Sequence, residues 1–482
     1  MPRTSRAPHI CRVFRPGIEG ALPPRLPARR DGPVPTRGVL YMALVLCVGL
    51  VSVLPLPVSA PTPAFAVRSG HGRDDASSEQ GGDPTDAYRT SLVLWGAGPA
   101  TAGAGFDRWT RAGTVLAPDG ALQLDPRTAQ PGTDPYPPGG YFGGSFYNGG
   151  GFLVGTATGP PVASAFGFRE AIASWNADTP AGTWIEVQLR VRIGSRWSRW
   201  YSMGVWASDD STVRRHSASR QADADARVEV DTLVLAAHRP AARALQLRLR
   251  LFTSAPSRAR GTPPSPAVRL AAVAISTTPR KPVKPAPGDP RLWGRVLDVR
   301  PCSQMVYPEG GEVWCSPTST SMVLAYWQKD RDRGGCAPGV YAAVSGVADW
   351  FYGGQGEGHG NWPFNTAYAA SMGGGSLTAY VARFTGLAQA ERWIAAGVPV
   401  VMSYGWKRGE LEGAPLPASN GHLVVLVGFD AAGNPVINDP AAPTDAGVRR
   451  TYPRSQVESL WLEHSGGTVY LIYPKGLRVP GF

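Results

Sequence analysis

Cys315 opens the stretch Cys315-Ser-Pro-Thr-Ser-Thr-Ser-Met-Val-Leu-Ala-Tyr-Trp327, in which Met322, Val323, Tyr326 and Trp327 recur at three- and four-residue intervals. That spacing predicts a buried helix. Pro317 suits the first turn, where a missing N–H costs nothing. Cys315 thus stands at a helix N-terminus, whose free N–H groups and macrodipole favour a thiolate. A nucleophilic thiol needs a base within reach. His422 heads the apolar run Gly421-His-Leu-Val-Val-Leu-Val-Gly-Phe429, a predicted strand whose first residue can face a cleft. His359, in Gly356-Glu-Gly-His-Gly360, and His464 are the competing bases. A buried or bridged Cys315 and a structural His422 are the alternative readings of these residues.

The base needs a third group to hold its working tautomer. Beyond the His422 strand the chain turns at Asp430-Ala-Ala-Gly433 and returns as Val436-Ile-Asn-Asp-Pro440. If Asp430 pairs with Asn434, simple pairing sets Asn438 opposite Leu426, on the face of His422, and turns Asp439 away. A one-residue slip or a bulge exchanges them. Asn438 and Asp439 both remain open on this ground.

The elements that must position these groups come from a 482-residue chain, long enough for two or three cores. Residues 1–66 read as a secretory signal: an Arg-rich start, the uncharged apolar run Gly38–Ser59, and the Ala64-Phe65-Ala66 cleavage pattern. An uncleaved anchor is the alternative, but Pro55 and Pro57 interrupt the end of the run. No second stretch is apolar enough to span a membrane, so no stable span is expected after cleavage. The mature chain would keep Cys302, Cys315 and Cys336, an odd number. A Cys302–Cys336 bridge leaves Cys315 as the thiol in an oxidising compartment.

Residues 67–85 are polar and Gly-rich, a flexible linker. Residues 86–276 carry a β signal: Ile185–Ile193 and Leu245–Leu251 alternate strictly, with shorter versions at Val228–Asp231 and Val268–Leu270. One wet and one buried face predict an antiparallel β-sandwich, jelly-roll-like rather than parallel. Trp175, Trp184, Trp197, Trp200, Tyr201 and Trp206 cluster there, as core or as a stacking platform for sugar rings. The Pro-rich residues 277–290 form a semi-rigid linker, and 291–482 mix helical and strand patterns.

The net charge of +12 is unevenly placed, with eight Arg against Glu19 and Asp31 in the first 37 residues. No dense Lys/Arg run with interleaved aromatics marks a nucleic-acid surface. The scattered His and Asp residues show no metal-ligand spacing, and no cofactor is implied.

Trp314-Cys-Ser-Pro-Thr-Ser, Gly421-His-Leu-Val-Val, Asn438-Asp-Pro and Gly360-Asn-Trp-Pro-Phe-Asn365 together resemble the papain-related, bacteriocin-processing (double-glycine leader) cysteine peptidases, in their exported actinobacterial branch. The likeness covers roughly 295–474, and the β-rich region resembles the domain these proteins carry ahead of the peptidase. It implies an α+β, papain-like fold over 291–482, with Cys315 as nucleophile, His422 as base and Asp439 as orienting acid. Gln304, in Cys-Ser-Gln-Met, matches the family's oxyanion-hole glutamine. Three departures stand out: the Gln-to-Cys gap is stretched by Tyr307-Pro-Glu-Gly-Gly311, Ser316-Pro317 stands where many relatives have Gly-Pro, and no nucleotide-binding motif or transmembrane bundle of the family's transporter modules is found. The expectation is a secreted cysteine peptidase acting on a peptide or protein, by hydrolysis or acyl transfer. The rival is a cell-surface binding protein whose sandwich anchors to a cell-wall polymer and whose C-terminal domain is a retired peptidase.

Overall fold

Strict alternation in two segments organises the N-terminal half. In the computed structural model they become the strands Thr183–Ile193 and Ala242–Ser254, antiparallel, with Leu247 opposite Leu189 and Leu249 opposite Val187. The structure describes residues 87–96, 105–254, 263–278, 286–327 and 335–482. The signal at 1–66, the linker at 67–85 and residues 279–285 of the Pro-rich linker lie outside them.

The two alternating strands belong to an eight-stranded antiparallel sheet. A seven-stranded antiparallel sheet built on Glu170–Asp178 and Ala267–Ser276 completes this half. Side chains of both sheets, among them Ile172, Trp175, Val187 and Leu247, share one hydrophobic cluster. Trp175, Trp184, Tyr201 and Trp206 are fully buried within the core. Trp197 and Trp200 are only half-buried, with the Arg190 guanidinium 4.8 and 4.6 Å from their rings. The segment Val228–Asp231 is not one strand: Ala226–Glu229 ends in a tight turn through Val230 and the chain returns as Thr232–Leu235. Val230 there has φ 57°, an unusual conformation for a β-branched residue.

The C-terminal half carries a third antiparallel sheet. Its order is Leu377–Arg383, Thr468–Pro474, Val400–Trp406, Ser419–Phe429, Pro435–Asn438 and Arg449–Thr451. Around it lie helices α1 (Cys315–Tyr326), α2 (Ala337–Val347), α3 (Trp362–Met372), α4 (Leu387–Ala395) and α5 (Arg454–Ser465). The described chain is thus α+β, with a sheet-rich region ahead of a helix-and-sheet domain. No helix among the described residues is long and apolar enough to cross a membrane. The predicted bridge is present: Cys302 and Cys336 are bonded with Cα atoms 5.7 Å apart, tying the segment before α1 to the start of α2.

The two halves are joined chiefly through α3 and the strand that follows it. Phe364 packs edge-on against Trp175 and Trp206, with ring centroids 6.1 and 5.3 Å away. Asn176 bonds both backbone groups of Ala379, and Ser174 takes the Val381 N–H, so two side chains extend the pairing of an edge strand. Asp231 accepts the Trp362 N–H at 2.8 Å, and Asp349 accepts the Ser217 N–H at 2.9 Å. Burial pushes the Asp231 carboxyl up to about 6. The stability this group contributes is therefore full below its unfolded pKa near 4 and is lost as pH rises through 6. His216, lowered to about 4 by burial, works the other way, losing stability as pH falls below about 6.5. Comparison with Asp231→Asn isolates the first trend. In urea titrations the variant should gain about 1 kcal/mol on the wild type between pH 5 and pH 7. A difference that stays flat across that range would show that Asp231 is not held protonated by the fold.

Candidate active site

Helix α1 is buried around its whole circumference, from Cys315 through Leu324. Its hydroxyls are anchors rather than a wet face. Ser316 bonds the Tyr470 hydroxyl at 2.8 Å, and Thr320 donates to Asn365 Oδ1 at 3.1 Å. Ser319 donates to the Leu423 carbonyl at 3.0 Å. That last bond ties α1, one turn beyond Cys315, to the residue that follows His422. Trp314 is the N-cap and Cys315 the first helical residue, so the sulfur stands where helix N–H groups lack intrahelical partners. Cys315 is fully buried and disulfide-bonded in this structure, where the sequence predicts a thiol. Any nucleophilic role belongs to the reduced form.

The His422 strand spans Ser419–Phe429 and pairs on one side with Val400–Trp406, His422 facing Tyr404. On its other side it pairs with Pro435–Asn438, and the register shifts between Leu426 and Gly428. That bulge sets which of the Asn438 and Asp439 side chains faces His422. Asp430 N–H does bond Asn434, as simple pairing requires. The extra residue, Val427, then moves Asn438 opposite Val425 rather than Leu426. Asp439 is brought to the face of His422, and His422 Nε2 lies 2.7 Å from Asp439 Oδ1. Asn438 turns away and donates to the Val299 carbonyl at 3.0 Å while accepting from Arg449.

Asp439 is wholly buried. Burial pushes its pKa up, but the His422 ring, the Tyr452 hydroxyl at 2.7 Å and the Ala441 N–H at 3.0 Å outweigh this and hold it below the ordinary carboxylate value. An ionised carboxylate only accepts, so His422 Nε2 carries a proton and, in the neutral imidazole, the lone pair lies on Nδ1. Nδ1 is buried with no protein partner. Trp406 stands edge-on to the imidazole with centroids 5.6 Å apart, and its own Nε1 donates to Leu416 O at 3.2 Å.

Gln304 is likewise buried. Its Nε2 donates to the Gly311 carbonyl at 2.7 Å, an oxygen that also accepts the Trp314 N–H at 3.1 Å. The amide is thus bound to the turn that precedes Cys315, with one Nε2 hydrogen left over. The stretched segment Tyr307–Gly311 folds back to make this contact: Gly311 N–H bonds Tyr307 O, and a Cβ on Gly311 would stand 2.0 Å from Gln304 O.

Of the rival bases, His359 lies 3.2 Å from Glu357 and edge-on to Trp314. His464 is exposed at the end of α5, above Gly405 and Gly421. Neither is bonded to Asp439. Tyr452, Tyr404 and Trp406 are site neighbours that sequence reasoning missed; Tyr452 is 13 residues beyond Asp439, with no local signal linking them. No group of three His, Cys, Asp or Glu side chains among the described residues is placed to hold a metal ion.

The model of the Peptidase C39 N-terminal domain matches residues 99–276, and that of the Peptidase C39 like family matches residues 296–469. No curated protein matches the chain.

Proposed function

Given that the chain belongs to the Peptidase C39 like family, with a Peptidase C39 N-terminal domain ahead of it, we propose that it is an exported cysteine peptidase using Cys315, His422, Asp439 and Gln304. The observation that carries this reading is the buried His422–Asp439 bond, which leaves Nδ1 as a base on the strand to which α1 is tied. Once an external dithiol has reduced the Cys315 disulfide, itself becoming a disulfide, His422 Nδ1 takes the thiol proton and the sulfur attacks the peptide carbonyl carbon. Charge moves to the carbonyl oxygen, where the remaining Gln304 Nε2 hydrogen and a backbone N–H near Cys315 donate. Collapse of that intermediate breaks the C–N bond, and His422 returns its proton to the leaving amine. Water, deprotonated by His422, then releases the acyl group from sulfur. An amine in place of water would give transfer instead of hydrolysis.

Turnover of an unfolded protein by the reduced full chain tests these roles. Cys315→Ala should abolish cleavage, and Gln304→Ala should lower kcat roughly a hundredfold. Asp439→Ala should lose far more than Asn438→Ala at equal folded fraction, because Asn438 braces the Val299 segment and not the imidazole. Equal losses at 438 and 439, or cleavage that survives Cys315→Ala, would contradict the mechanism.

A second partner, an anionic cell-wall polymer, is proposed on the outer face of the eight-stranded sheet. Arg190 and Arg248 both lie over Trp200, at 4.6 and 4.3 Å, and form no ion pair among the described residues. Their Nε atoms donate to the neutral side chains of Gln246 and Gln188. Co-sedimentation with purified cell wall should retain the chain, and Arg190→Ala with Arg248→Ala should release it. Equal retention of the double variant would rule this face out.

A further inference from the structure

A cavity of about 390 Å³ opens at the start of the His422 strand, lined by the strand neighbours of His422 rather than by the proposed catalytic side chains, and is walled by both halves of the chain. Gly421 and Leu423, the neighbours of His422, form one side, and Gly360 and Trp362, at the start of α3, form another. The N-terminal half inserts a hairpin tip, Glu229-Val-Asp-Thr232, as a third wall. The tip is built rather than loose. Val230 is held at positive φ, and Asp231 is buried, with Oδ2 on the Trp362 N–H and Oδ1 on the Thr232 hydroxyl. Strain of this kind persists only where the surroundings impose it, and it concentrates at ligand clamps.

The cavity lining holds the carboxyl groups of Glu170, Glu229, Asp231 and Glu463 together with the guanidinia of Arg227 and Arg383 and the His464 ring. Glu170 is committed to the buried Arg383 in a bond made at the cavity wall. Glu229 differs: its ion pair is with Arg227 at 2.6 Å, and both side chains are about half exposed, at 55% and 49%. An exposed pair of this sort is weak, so a cation entering the cleft can take the Glu229 carboxylate from Arg227.

We propose that this cavity is a peptide subsite and that the Glu229–Thr232 tip makes it select a positively charged group of the substrate. The proposal rests on the peptidase reading for its substrate class, and it assigns the N-terminal half a direct part in specificity. The selected group is an ammonium or guanidinium, supplied by a Lys or Arg side chain or by a free N-terminal amine.

Fluorescence anisotropy on the full chain carrying Cys315→Ser measures binding without turnover. Four labelled octapeptides serve as probes, with Lys or Gln at one central position and a free or acetylated N-terminus. The Lys peptides or the free-amine peptides should bind several-fold tighter, and which pair does so identifies the source of the cation. Glu229→Gln should cut that preference roughly fivefold, and Glu229→Lys should abolish it. Glu229 is exposed, so neither change is expected to disturb folding, and thermal melting checks this. Equal binding of all four peptides, no binding, or a preference that survives Glu229→Lys would overturn the proposal. Cleavage by the reduced wild type that ignores substrate charge would sink the subsite alone. Charge-selective binding without any cleavage would instead sink the peptidase reading and leave the subsite standing.

Discussion

A carboxylate with no solvent exposure, kept ionised, is the constraint on which the rest of this site depends. Removing Asp439 from water disfavours its charge, and only three donors converging on its two oxygens reverse that. Each donor comes from a different place in the fold: the His422 strand, the residue two beyond Asp439, and Tyr452 at the end of the edge strand Arg449–Thr451. Because the carboxylate stays charged, the imidazole proton is confined to Nε2 and Nδ1 is left basic. Trp406 packs edge-on against the buried ring, and burial keeps the His422–Asp439 bond in a low-dielectric setting.

The same logic of converging partners extends outward from the site. The hydroxyls of α1 bond the Thr468–Pro474 strand, the His422 strand and α3, so the helix that carries Cys315 has little freedom to shift. Asn365 passes the connection on: its Oδ1 accepts from Thr320, and its Nδ2 donates to the carbonyls of His359 and Asn361. Asn361 caps α3 and donates to Asp349, which in turn takes the Ser217 N–H of the N-terminal half. One chain of hydrogen bonds therefore runs from the nucleophile's helix to the sheet-rich region. The motif Gly360–Asn365 is the hinge of that wiring, and the N-terminal half is a structural part of the domain it precedes.

Much of this was legible in residue types and spacing. The helix beginning at Cys315 and the strand headed by His422 follow from period and composition, and strict alternation marked the two central strands of the eight-stranded sheet. What stayed hidden depended on geometry that local patterns do not encode. A single extra residue at Val427 decides between Asn438 and Asp439, and nothing in an apolar run shows where a bulge falls. Tyr452 and Trp406 reach the site only through sheet closure. The partner of Asp231 lies 131 residues away, across the junction of the halves, so the start of the Gly360–Asn365 motif could be seen without its purpose.

The central claim is that reduced Cys315 is a thiolate paired with His422, and its most direct measure is the pH dependence of alkylation. Iodoacetamide modification of Cys315 in the reduced full chain, followed from pH 5 to pH 9 by peptide mapping, should already be rapid at about pH 6. An unperturbed thiol, with a pKa of about 8.5, is nearly inert there. The rate at that pH should fall sharply in His422→Ala and change little in His359→Ala or His464→Ala. A rate that rises only near pH 8.5 and is indifferent to His422 would make Cys315 a structural cysteine, and no peptidase mechanism could then be built on it.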